Sequence, residues 1–268
     1  TKFCCLCRNV VASKSRLADP DGGALLKCDI IKGSELKLAT DATVFATVRK
    51  VAELAVTMNA KEFEQVEQAY GFKHSPYSLM LDHALADVAK PVSQFVHDWM
   101  HLLFVHGVFN ITVHLFVASM RSQNVDVGKL FSSYLSEWHW PLRVNATSLS
   151  NHFSSAAVAS MRKAEHLKCQ ASDSLSMYPV LAYCIMASFL PPGRCHAECI
   201  AFLALADLID LVYSAARGGL TPQELRKAVY RFLKLFVDAW GAAWMTPKFH
   251  WLLHLPIELE RYGTLLSC

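Results

Sequence analysis

Gln94-Phe95-Val96-His97-Asp98-Trp99-Met100-His101-Leu102-Leu103-Phe104 sets a carboxylate and an imidazole, Asp98 and His101, three positions apart among bulky apolar side chains. Such groups lose hydration on burial and need a partner, a metal or each other in return. Two readings follow: a hydrogen-bonded Asp/His pair that fixes a core helix, or half of a metal site. The continuation decides the fold class. Residues 102–120 are apolar almost all round, as a central helix is, so we expect a mainly helical domain built about that segment.

Upstream, Val44, Val48, Val51, Leu54 and Ala55 recur at three- and four-residue steps, predicting a helix that Thr40 or Asp41 can cap. A second helix is expected over 60–70, with Phe63, Val66 and Ala69 on one side and Gly71 as its stop. Residues 74–92 hold Pro76 and Pro91 and read as a loop with a short helix or extended piece. At the amino end a short strand and turn carry Cys4-Cys5-Leu6-Cys7.

Downstream, helices are expected over 127–135, 156–168, 172–190 and 197–217, the last stopped by Gly218-Gly219. Thr221-Pro222-Gln223-Glu224 has the capping-box order with proline at the first helical position, and opens a helix reaching Trp240. His250 and His254, four apart, share one face if their segment is helical. The Ser/Asn-rich connection at 147–155 is the weakest point in a chain without a pronounced linker. The expectation is therefore one helical region over 1–268, with any sub-boundary at that connection.

Composition narrows the function classes. An apolar fraction of 53% with 18% charged residues excludes a disordered chain. A net charge of +3, from 26 basic and 23 acidic residues, is too small for nucleic-acid binding over the whole surface. The apolar runs at 178–190 and 200–212 fall short of the roughly 20 apolar residues that span a bilayer or are broken by Asp207 and Asp210; they read as buried helices, and no membrane partner is expected. Nine scattered cysteines fit a reducing compartment, nucleus or cytoplasm. The chain begins without Met, in what reads as mid-element, and we expect it to be part of something longer. No glycine-rich phosphate loop, nucleophile elbow or His-Glu-x-x-His helix occurs, so it does not read as a self-contained enzyme.

Two kinds of candidate site remain. Cys4-x-x-Cys7 has the spacing by which two thiolates reach one tetrahedral zinc ion, although a redox pair or two buried cysteines share it. Asp98 and His101 would complete a structural zinc shell, with Cys5, Cys28, His97, His250 and His254 as further candidates. Cys195-His196-x-x-Cys199 is a weaker second spacing of the same kind. Basic helical faces at Arg162 and Lys163, and at Arg226, Lys227, Arg231 and Lys234, can follow a phosphate backbone or simply be solvated.

Taken together, three stretches resemble the transposases of CACTA (En/Spm-like) DNA elements and their domesticated relatives. Lys2-Phe3-Cys4-Cys5-Leu6-Cys7 resembles the Cys-x-x-Cys that follows that family's second catalytic Asp. His97-Asp98-Trp99-Met100-His101 is similar to its Asp-x-Met-His element, although Leu102 stands where several plant members continue with Lys-Asn. Lys248-Phe249-His250 through His254-Leu255-Pro256, with Arg261-Tyr262-Gly263, looks like the segment before the catalytic Glu. The resemblance implies the helical insertion of an RNase H-like core that cuts DNA with two divalent ions. Both catalytic Asp would precede Thr1 and the Glu would follow Cys268. Magnesium is then expected only in the intact parent, a metal-dependent DNA strand-transferase. This chain would position DNA or a second subunit, possible homo-oligomers included; the alternative is a helical protein-interaction scaffold with no nucleic-acid role.

Overall fold

The computed structural model describes residues 2–20, 22–215 and 217–265. The expected junction with the catalytic Glu, at Cys268, lies outside them. The fold is mainly helical with one short parallel sheet, β1 (Val10–Val11) beside β2 (Leu26–Lys27). It divides into two compact units, Thr1–Val96 with Met245–Trp251, and His97–Trp244 with Leu252–Cys268. The division does not fall at 147–155: those residues lie within the second unit, 147–151 helical, 152–154 in a turn and Ser155 opening the next helix.

The first unit carries both strands and the helices α1 (Asp41–Thr57), α2 (Ala60–Tyr70) and α3 (His83–Ala86). Thr40 and Thr43 cap α1 reciprocally, and Val44, Val48 and Val51 form its buried stripe at the expected steps. Asn59 caps α2 by accepting from Glu62 N–H at 3.0 Å. Gly71 closes it with φ of +77°, a conformation glycine adopts without penalty. Asp41, at the start of α1, also accepts from Val92 N–H at 2.7 Å and Ser93 N–H at 3.1 Å, which pins the loop after Pro91.

The second unit comprises α4 (Trp99–Phe104), α5 (Val108–Ser122), α6 (Val127–Glu137), α7 (Ala146–Asn151), α8 (Ser155–Ala164), α9 (Ala171–Ser188), α10 (His196–Ala215) and α11 (Pro222–Trp240); α12 (Pro247–Trp251) belongs to the first unit and α13 (Leu255–Tyr262) to the second. Thr221 and Glu224 form the expected capping box on α11, whose Leu225, Val229, Phe232, Leu233 and Phe236 are buried. The core about α5 is aromatic: the Phe116 ring lies 5.5 Å from Phe202, 5.9 Å from Phe189 and 6.0 Å from Phe131. Edge and stacked arrangements at such distances add to the burial of apolar area. The stretch Trp99–Ser122 is long and apolar enough to cross a membrane, yet 78% of its apolar window is buried within the protein, as in a core helix.

The expected single helix over 102–120 is instead two, α4 and α5, broken at 105–107. His106 takes φ of +46°, and Gly107 sits so close to α4 that a Cβ there would lie 2.3 Å from the Leu102 oxygen and 2.4 Å from Leu103. Asn110 secures the turn, accepting from Gly107 N–H at 3.0 Å and donating to Leu167 O at 3.1 Å. Gly107→Ala is therefore expected to cost about 1–3 kcal/mol, seen as an earlier urea-unfolding midpoint.

His114 on α5 is 6% exposed, and its Nδ1 has no hydrogen-bond partner among the described residues. Burial, with His166 and Arg162 opposing Glu165, holds its pKa below the ordinary 6.5; burial and His106 do the same for His166. Both therefore bind a proton less readily in the folded chain than in the unfolded one. Stability is thus present above about pH 6.5 and lost as pH falls below it. In urea unfolding at pH 7.5 and 5.5, His114→Leu should shrink the difference between the two midpoints.

Candidate metal centre

Cys4 and Cys7 are positioned by backbone pairing with residues 37–39. Ala39 N–H donates to Leu6 O at 2.9 Å, Arg8 N–H to Lys37 O at 2.8 Å, and Cys7 and Leu38 form an isolated antiparallel bridge. Asn9, 4% exposed, completes the fastening: its Oδ1 accepts from Lys37 N–H at 2.9 Å and its Nδ2 donates to Glu35 O at 3.0 Å. A tight turn in which Cys4 and Cys7 face one point is thereby held without a regular strand. Phe3, Leu26, Leu36, Phe72 and Trp251 pack against the buried cluster that contains Cys4, Leu6, Cys7 and Val10.

The other half comes from the run of α12, a 3-10 turn at Leu252–His254, and α13. One sulfur from each of Cys4 and Cys7 and one ring nitrogen from each of His250 and His254 all lie within 4.8 Å of one another. All four residues are buried. The edges of a tetrahedral zinc shell are roughly 3.3–3.8 Å for bonds of about 2.0 and 2.3 Å, so small side-chain rotations bring these donors to one centre. Two thiols and two imidazoles are a donor set for a borderline-soft divalent ion. The buried cluster can hold a metal ion, and it is the group of this kind found among the described residues.

The Phe3 ring meets His250 edge-on at 5.5 Å. His254 is stacked by His97, ring centroids 5.5 Å apart and planes 15° from parallel. His97 is fixed in turn by Glu258, whose carboxylate accepts from the His97 backbone N–H at 3.1 Å and bonds its Nδ1. Glu258 is 1% exposed, so its carboxylate exchanges hydration for these two contacts. The hydrogen bond with Cys4, burial, and repulsion from Cys4 and Cys5 push the Cys7 thiol well above the ordinary thiol range. A divalent cation reverses that balance by stabilising thiolate directly. A cavity of about 190 Å³, lined in part by Cys4, Cys5 and Cys7, opens on the thiol side.

Asp98 and His101 are not members of the cluster. Asp98 is exposed and caps α4 by accepting from His101 N–H at 3.1 Å, while His101 is exposed one turn on. Their place in an apolar stretch does not bury them, because the first turn of a helix leaves its cap at the surface. The pairing that was open in the sequence thus goes to His250 and His254, whose four-residue spacing was the signal. Glu258 had a weaker one, a further four-residue step from His254. Cys28 is buried and donates to Met245 O at 3.7 Å rather than joining the centre. Cys199 bonds Arg194 O at 3.3 Å, and burial pushes its thiol up to about 12, as suits an inert core cysteine.

The basic faces differ from one another. On α11, Arg226 pairs with Glu260 at 3.5 Å, Arg231 with Asp207 at 3.3 Å and Lys234 with Asp238 at 2.7 Å. Lys227 is exposed beside them. Arg162 and Lys163 on α8 are exposed and have no ion pair among the described residues. No family model, curated protein or solved structure matches the chain.

Proposed function

We propose that this chain is a zinc-organised helical region of a CACTA-like transposase, positioning DNA or a second subunit rather than cutting DNA itself. One observation supports the reading above others: the three stretches that carry the family resemblance supply the cluster and the side chains about it. The first gives Cys4 and Cys7, the third gives His250 and His254, and the second gives His97, which stacks on His254. When bound, zinc would be held by Cys4, Cys7, His250 and His254 and would take no part in redox chemistry. The residues of the chain do the rest: Glu258 orients His97, and Asn9 holds the Cys4–Cys7 turn.

DNA contact is assigned to α8, where Arg162 and Lys163 are unpaired, in preference to α11. Titration with duplex DNA at two salt concentrations tests it. Arg162→Glu with Lys163→Glu should weaken binding about tenfold and flatten the salt dependence, while Arg226→Glu with Arg231→Glu changes it less. Absence of salt-dependent binding would favour the second reading, an interaction scaffold, to which the self-paired charges of α11 lend weight. The reading frame around the chain is an independent test: two strand-borne Asp before it and an acidic residue soon after Leu265 belong to the transposase reading.

A further inference from the structure

Between α5, α6 and α8 lies a cleft of about 760 Å³, within the range of sites that enclose small organic ligands. Its floor is apolar: Val117, Val127 and Phe153, each 4% exposed or less. Its lining carries three exposed cations, Arg121 from the end of α5, Lys129 from α6 and Arg162 from α8, with the hydroxyls of Ser132 and Ser155, whereas Ser133 and Ser136 already donate to Glu137 and to Ser133 O. None of the three cations has an ion pair among the described residues, whereas three of the four cations on α11 do. The carboxylate that lines the cleft, Asp126, is engaged as the cap of α6, accepting from Lys129 N–H at 3.1 Å. Gly128 admits α8 to this position, since a Cβ there would stand 2.9 Å from Val158 Cγ2.

Three exposed cations without ion pairs among the described residues, carried on three helices that line a cleft with buried apolar residues, match a ligand with a compact anionic end and a flat apolar body. Arginine forks suit phosphate oxygens, hydroxyls add donors, and the floor removes a ring face from water. We infer that this cleft binds a nucleoside phosphate, either a free nucleotide or the terminal nucleotide of a nucleic-acid strand. The inference stands apart from the transposase reading, since neither the zinc cluster nor the family resemblance enters it.

The test is calorimetric titration of the full chain with adenosine monophosphate, adenosine, inorganic phosphate, and a short single-stranded oligonucleotide with or without a 5′-phosphate. Adenosine monophosphate, or the 5′-phosphorylated strand, should bind at least about tenfold more tightly than adenosine or the unphosphorylated strand. The arm that binds more tightly identifies the source. Arg121→Glu and Arg162→Glu should each weaken binding about tenfold. Ala159→Trp, which fills the cleft from an exposed position on α8, should abolish it. Lys168→Glu makes the same charge change just beyond α8, at an exposed residue that does not line the cleft, and should leave the affinity within about twofold. Far-ultraviolet circular dichroism confirms that each variant folds. The inference is overturned if no phosphate-bearing probe binds, or if Lys168→Glu weakens binding as much as Arg162→Glu. Loss of duplex-DNA binding alone would touch the transposase reading and leave this one standing.

Discussion

Stripping metal from the purified protein with a chelator is expected to lower its thermal midpoint by about 8–16 °C. An ion present at about a thousand times its dissociation constant stabilises the state that binds it by about 4 kcal/mol, and each kcal/mol shifts a unit of this size by about 2–4 °C. Elemental analysis should find one zinc per chain. Cys7→Ser and His254→Ala should each abolish that content and reproduce the chelated midpoint, because each removes one of four converging donors. Asp98→Asn and His101→Ala should leave the zinc content unchanged, since both residues stand outside the cluster. Metal uptake should release protons and strengthen as pH rises, because the ion must displace the proton that the Cys7 environment retains. An unmetallated protein with the same midpoint in chelator would remove the centre from the account.

Glu258→Ala should destabilise the second unit by about 3–5 kcal/mol, the usual cost of leaving one member of a buried pair behind. His97 would lose the acceptor for both its backbone N–H and its ring. Glu258→Gln keeps an acceptor of the same shape and should cost much less. Urea unfolding separates the two variants. Because His97 stacks on His254, Glu258→Ala should also lower zinc affinity about tenfold, measured by competition with a chromogenic chelator. Unchanged stability in Glu258→Ala would mean that the carboxylate contributes nothing through these contacts.

Much of the helical order was readable because local rules and burial agree. Thr221, Pro222 and Glu224 mark the start of α11, and the stripe from Leu225 to Phe236 marks its inner face, so propensity, capping and packing point the same way. Gly71 ends α2 for an equally local reason. The break between α4 and α5 was not readable. Leu102 to Met120 is apolar almost all round, and the turn depends on Gly107 approaching α4 and on Asn110 reaching Leu167, a contact distant in sequence.

The candidate site divides along the same line. Cys4 and Cys7 were identifiable from their spacing, and His250 and His254 from theirs, yet the match between the pairs is a long-range fact. Asp98 drew attention because its neighbours are apolar, although as a helix cap it points to backbone N–H groups at the surface. The α11 charges were legible as an outer stripe. Their partners Glu260 and Asp207 lie on other helices, and this neutralisation is invisible along one element.

Because residues 245–251 belong with the first 96, ribosomal synthesis delivers the thiols of the cluster long before its imidazoles. Cys4 and Cys7 are made about 240 residues before His250 and His254. During that interval the two sulfurs have no resident ion to protect them, and an oxidant or a scavenged foreign metal can reach them first. The order of translation thus sets a window in which a reducing environment, rather than the finished fold, guards the centre.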